Sequence, residues 1–287
     1  MLAKSKGALA LALTLALCAG CGQESDTASP SPSAAAPTAS AETSANGGQT
    51  PAGTTAPFAT AHATPKASEI AKPSATPPAK NDAAGAYGDL QVVAHPESLE
   101  VLVNKMWALP ASYTPDDLVY PDVPFVFNEK NEKRKMRKEA AAALEQLFAA
   151  AKDDGVPLAG VSAYRSYATQ KALFDSYVRK DGLEKARTYS AVPGTSEHAT
   201  GLAIDVTGSD GKCAATDCFA GTKEAKWLED HAAEYGYIIR YPKGKDSITG
   251  YQYEPWHIRY VGKDIAQAVV SKGITLEEYF NAVPVAK

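Results

Sequence analysis

Residues Gly22 to Gly88 constrain the fold of this chain more than any motif does, because they cannot contribute to a core. Ala, Pro, Thr and Ser dominate the stretch, and large apolar side chains are almost absent from it. Such a segment buries too little surface to offset its ordering entropy, so it reads as a disordered tether. About 65 flexible residues have an r.m.s. reach on the order of 45 Å, and Pro extends it. Of 287 residues, only the part from about Asp89 to Lys287 is left to build an interior. Roughly 200 residues suffice for one domain with a sizeable core. All three Trp lie there, and the segment contains no internal repeat.

The N-terminus sets the expected compartment. Lys4 and Lys6 precede an apolar run, Ala8 to Leu17, which is too short to span a bilayer and suits a secretion signal. Ala19-Gly20-Cys21 follows, and small residues before a Cys resemble a bacterial lipobox, although Cys18 stands where Leu is usual. The alternative is plain signal cleavage with Cys21 left as a free thiol. The expected organisation is a lipoprotein-type signal over 1–20, a disordered linker over 21–88 and a functional domain over 89–287. Cys21 would be the lipidation site, anchoring an exported protein to the bacterial cell membrane and facing the cell wall. No later apolar run reaches the about 18 residues a membrane helix needs. A net charge of −4 argues against nucleic acid as the main partner and against a polybasic membrane surface. Cys213 and Cys218 read as a small loop disulfide in an exported protein, with a zinc knuckle as the weaker alternative.

Periodicity predicts a helix over Glu132 to Lys152, with Met136, Ala140, Leu144 and Leu147 on one face. Further helices are expected over Ala168 to Lys180 and over Thr222 to Tyr235, the latter stopped by Gly236. Leu158 to Ala163, Gly201 to Val206, Tyr237 to Tyr241 and Trp256 to Val261 read as strands. Thr275-x-x-Glu278 matches a capping box opening a short last helix. Helices and short strands mix without regular alternation, which indicates an α+β class rather than a doubly wound sheet.

Five His occur, and two lie in unusual contexts. Ser196-Glu197-His198-Ala199-Thr200-Gly201 leads into Leu202-Ala203-Ile204-Asp205-Val206, and Glu254-Pro255-Trp256-His257 follows later. A carboxylate at Asp205 within an apolar strand is costly to bury unpaired, unless a metal or a hydrogen-bond network takes it up. His198, Asp205 and His257 would make a three-ligand zinc site with an open position. Its net positive charge would favour ionisation of a bound water near neutral pH. Glu254 would then serve as the general base. From ligand types alone, hydrogen-bonded core histidines remain an equal reading. His62, His95 and His231 carry no such context.

Ser196-x-His198-x-x-Gly201-x-Ala203-x-Asp205 resembles the signature of zinc D-alanyl-D-alanine carboxypeptidases of the VanY type, within a wider group of LAS and hedgehog-like zinc folds. Leu102-Val103-Asn104-Lys105 with Tyr113-x-Pro115-x-Asp117 resembles the opening of that family. Ala163-Tyr164-Arg165-Ser166-Tyr167 with Gln170 resembles its substrate-binding segment. Arg240-Tyr241-Pro242 and Thr249-Gly250-Tyr251 lead into Glu254-Pro255-Trp256-His257 as the family does. The resemblance covers nearly all of the domain, in order, and none of the tether. It implies a single domain with a small central antiparallel sheet flanked by helices. It also implies that His198, Asp205 and His257 bind Zn²⁺, that Glu254 is the catalytic carboxylate, and that Arg165 binds substrate and stabilises an oxyanion. A guanidinium suits either anion because its fork donates parallel hydrogen bonds.

Gln170, Ser190, Ser196 and Trp256 are candidate groove residues, and Ser196 is better suited to orienting the loop than to nucleophilic attack. Arg240 and Arg259 are candidates to buttress Asp205 or Glu254. The function so implied is removal of the C-terminal D-alanine from peptidoglycan stem peptides by a monomeric, zinc-dependent carboxypeptidase. An L,D-carboxypeptidase, a cell-wall endopeptidase or a non-catalytic stem-peptide-binding module are the alternatives.

Overall fold

The computed structural model describes residues 90–283. The signal segment, Cys21, the tether and His62 lie outside the described residues.

The centre is a four-stranded antiparallel sheet. Its strands are β5 (Leu158–Ser162), β6 (Ala203–Gly208), β7 (Tyr237–Ile239) and β8 (His257–Tyr260), in the order β5-β6-β8-β7. Side chains alternate across a strand, so register decides what each face carries. Ile204 pairs with Ile258, and these two join Val206 and Tyr260 in the main core. Asp205 pairs with His257, which puts a carboxylate and an imidazole side by side on the opposite face. The period-two pattern thus separates the packing face from the chemical face.

The packing face is covered by α1 (Lys138–Asp153) through Ala140, Leu144, Leu147 and Ala151, all buried. The helix expected from Glu132 starts six residues later. Glu132–Arg134 forms a 3₁₀ turn capped by Asn131, and β4 (Met136–Arg137) pairs with β3 (Leu118–Val119). Lys133 and Lys135 carbonyls accept from Ala163 and Tyr164, so the backbone there serves tertiary pairing instead of a helix. Met136 stays buried, which is why its spacing mimicked helical periodicity.

Around this core lie α2 (Tyr167–Asp181), capped by Ser166, and α3 (Leu183–Tyr189). They are followed by α4 (Lys223–His231), α5 (Asp246–Thr249), α6 (Lys263–Lys272) and α7 (Leu276–Tyr279). The helix expected to run to Tyr235 ends at His231, and Ala232–Tyr235 continues as a 3₁₀ turn. Gly236 follows at φ +80°, where an added Cβ would lie 2.8 Å from the Tyr260 ring. The capping box at Thr275 and Glu278 is present. A short parallel pair, β1 (Gln91–Val92) with β2 (Trp107–Ala108), completes the α+β fold. Among the described residues no helix is long and apolar enough to cross a membrane.

Candidate active site

His198 sits on a buried 3₁₀ turn, Glu197–Thr200, between α3 and β6. Gly201 ends that turn at φ +69°, a left-handed conformation that favours glycine, and redirects the chain into β6. The His198 Nδ1–H donates to the Ala163 carbonyl at 2.7 Å, since a carbonyl only accepts. That bond fixes the tautomer and leaves Nε2 bare, 3.5 Å from Asp205 Oδ2. His257 Nδ1 lies 2.9 Å from Asp205 Oδ1. The two imidazoles stand nearly perpendicular, with centroids 4.9 Å apart. Tyr241 stacks on His257 at 5.0 Å.

The three side chains fit a metal ion. Each offers one ligand-type atom, all within 4.8 Å of one another, and all three residues are buried. Close approach of a carboxylate oxygen and an imidazole nitrogen requires a proton or a cation between them. Burial pushes His198 down to about 3, despite the Asp205 carboxylate. Burial also opposes charge on His257, yet the Asp205 and Glu197 carboxylates beside it raise it to about 9. Burial would raise Asp205 as well, but His198 and His257 hold it below the ordinary carboxylate range.

These residues open onto a cavity of about 530 Å³. Glu254, Arg165, Ser190, Ser196 and Trp256 line it with the His–Asp–His group. Burial, reinforced by Asp205 and Asp217, raises the Glu254 carboxyl to about 7, with His257 opposing. A carboxyl near neutrality can exchange a proton with substrate at physiological pH. Arg165 Nη1 donates to Gln170 Oε1 at 2.8 Å, and Gln170 Nε2 donates to the Ala191 carbonyl at 2.6 Å. Gln170 therefore lies behind Arg165, 1% exposed, rather than on the cavity wall. It couples the guanidinium to the loop that carries Ser190.

Cys213 and Cys218 form a disulfide, with Cα atoms 5.5 Å apart. The loop they close brings Ala215, Thr216 and Asp217 to the cavity rim. Arg240 and Arg259 do not reach Asp205 or Glu254. Both bind Glu197, and Arg240 also binds Glu277. Sequence reasoning passed over Glu197. Its signal was present: two Arg flanking apolar strands at Ile238-Ile239 and Ile258 need buried counter-charges. His231 contacts Glu234 and Trp227, and His95 contacts Glu97, away from the site.

The model of the D-alanyl-D-alanine carboxypeptidase family, VanY, matches residues 133–263, from the 3₁₀ turn before α1 to the start of α6. YodJ of Bacillus subtilis (strain 168), named as a carboxypeptidase, is 51% identical over 194 residues, spanning 68% of this chain and 71% of that protein. The chain belongs to the VanY carboxypeptidase family. Two solved structures flank it within that fold. The LdcB LD-carboxypeptidase, whose structure was described for peptidoglycan recognition, shares 50% identity at a TM-score of 0.66, covering 68% of this chain and 92% of that one. A D,D-pentapeptidase VanY from a vancomycin resistance cassette, in complex with Zn(II), shares 34% identity at a TM-score of 0.51, covering 64% and 99%. The match in VanY runs through all four strands of the central sheet, and so through every element that carries the His–Asp–His group.

Proposed function

We propose that this chain is a zinc-dependent carboxypeptidase that hydrolyses the C-terminal D-alanine of peptidoglycan stem peptides. The observation that carries this reading is the convergence, in one cavity, of a buried His–Asp–His group, a carboxyl with a raised pKa and a guanidinium. His198, Asp205 and His257 would hold Zn²⁺, which supplies polarisation of the scissile carbonyl and a water that ionises near neutral pH. Glu254 accepts a proton from the attacking water and returns it to the leaving amine. Arg165, oriented by Gln170, has N–H groups left over for the terminal carboxylate of the substrate or for the developing oxyanion. Ser190, Ser196 and Trp256 supply groove wall. The first 21 residues support export and a lipid anchor at Cys21, which would hold the enzyme beside its polymeric substrate.

The family resemblance favours a pentapeptide ending in D-Ala-D-Ala. A second reading, cleavage of the L,D bond of a tetrapeptide, is favoured by the higher identity to LdcB, 50% against 34% for the D,D-pentapeptidase. Mass spectrometry of defined pentapeptide and tetrapeptide after incubation with the purified protein, with and without chelator, separates them. Loss of one alanine from the pentapeptide alone, abolished by chelator and restored by zinc, gives D,D specificity. Loss from the tetrapeptide gives L,D specificity. No cleavage of either sinks the carboxypeptidase reading.

A further inference from the structure

Glu197 is fully buried and directly precedes His198, yet its carboxylate points elsewhere. Arg240 Nε and Arg259 Nη1 both donate to its Oε1, each at 2.8 Å. The other nitrogens of both guanidiniums also have partners. Arg240 binds both carboxylate oxygens of Glu277, at 2.9 and 2.6 Å. Arg259 binds the carbonyls of Tyr260, Leu99 and Val101. No donor of either Arg takes Glu197 Oε2. That atom is one of four buried side-chain polar atoms without a hydrogen-bond partner among the described residues, and His257 Nε2 is another. The two orphans face each other at 3.6 Å. Two such atoms left unpaired are costly to bury, whereas a shift of a few tenths of an ångström satisfies both.

We propose that Glu197 is the positioning residue for His257. Its Oε2 accepts from Nε2–H, which fixes the tautomer with Nδ1 bare and turned toward Asp205. The inference rests on the zinc reading above, since an oriented Nδ1 matters only if it is a ligand. Paired guanidiniums are the means of orientation. Two donors on one oxygen pin the carboxylate and aim the other oxygen at the ring. Tyr241 stacks on the ring and limits its tilt. A carboxylate behind a metal-binding His raises ligand basicity and holds ring orientation, and loss of such a partner costs about 10–100-fold in metal affinity.

The test uses the full chain and three proteins: wild type, Glu197→Gln and Glu277→Gln. Each variant removes one buried charge from the same Arg network, but only the first touches the partner of His257. Zinc affinity is measured by competition with a chromophoric chelator, and Co²⁺ absorption spectra report ligand geometry. The expected result is a wild type that binds one zinc. Glu197→Gln should bind it about 10–100-fold more weakly, with a displaced Co²⁺ visible spectrum, while Glu277→Gln keeps both wild-type affinity and spectrum. Equal weakening in the two variants would overturn the proposal and leave Glu197 a structural counter-ion. A wild type that binds no zinc would overturn the metal reading itself. If Glu197→Gln does not fold, long-range ¹⁵N–¹H correlation of the zinc-loaded wild type decides. A protonated Nε2 on His257 supports the proposal, and a metal-bound Nε2 overturns it.

Discussion

Asp205 and His257 are register partners across β6 and β8, with His257 Nδ1 2.9 Å from Asp205 Oδ1. A sheet, not a loop, therefore sets the spacing of two of the three metal-type ligands, and the third is held to it by the His198–Ala163 bond. Replacing Asp205 with Asn removes the charge and keeps the shape. Zinc affinity should fall by more than the roughly 10–100-fold expected of an outer partner, and peptide hydrolysis should vanish with it. Retention of one zinc per chain at wild-type affinity would exclude Asp205 from the ligand set.

The pH profile should follow Glu254. A general base works only when deprotonated, and burial has raised this carboxyl to about 7. Activity should thus rise with pH through an acid limb, and a bound dication would move that limb below 7 by favouring the carboxylate. Glu254→Gln should keep zinc, lose about 10²–10⁴-fold in kcat and lose the acid limb. A variant that still shows that limb would assign it to another group.

The network behind the site predicts how the fold answers to acid. Burial alone would raise Glu197, yet Arg240 and Arg259 hold it well below the ordinary carboxylate range. A depressed carboxylate contributes stability above its unfolded value, about 4.3, and that contribution is lost as pH falls through the lower folded value. Arg240→Met leaves Glu197 and Glu277 short of a partner at the same time. Urea unfolding at pH 7 should show a loss of about 3–5 kcal/mol, the cost of breaking a buried pair from one side. A loss under about 1 kcal/mol, the range of exposed pairs, would mean that water already reaches this network.

What the sequence made legible was chemistry tied to local pattern. The capping box at Thr275, the stop at Gly236 and the apolar stripe of α1 are encoded within a few residues, and each is present. Asp205 stood out because a carboxylate in an apolar strand is costly to bury, and His198, Glu254 and His257 because of their unusual local sequence and its resemblance to a family signature. Non-local pairing was hidden. Met136 obeys helical spacing but lies in a strand, because Leu118–Val119 and the loop after β5 claim its backbone neighbours. Gln170 was named for the groove wall, and Glu197 was passed over, because the role of each depends on pairing across the fold. Gln170 lies behind Arg165 and Glu197 directly precedes His198, and their partners, Ala191, Arg240 and Arg259, come from 21 to 62 residues away.

The disulfide should matter for the substrate more than for the fold. The Cys213–Cys218 bridge spans five residues, so loop closure contributes only about 2 kcal/mol. Its loop carries Ala215, Thr216 and Asp217 to the cavity rim. Replacing both Cys with Ser should raise KM for stem peptide with zinc content unchanged. An unaltered KM would show that the rim does not touch the substrate.

Arg165 and Gln170 form the last testable pair. The 2.8 Å bond from Nη1 to Oε1 and the anchor on Ala191 hold the guanidinium from behind, which pre-orders a long side chain that otherwise loses rotamer freedom on binding. Arg165→Ala removes the donor itself and should cost about 10²–10³-fold in kcat/KM, the scale of a lost oxyanion donor. Arg165→Lys keeps the charge without the fork, so it should recover only part of that loss. Gln170→Leu leaves the Arg in place but loose, and should raise KM more than it lowers kcat. Steady-state kinetics on one defined peptide ranks the three. If Gln170→Leu proved as damaging as Arg165→Ala, the Gln would be acting on substrate directly and not through its neighbour.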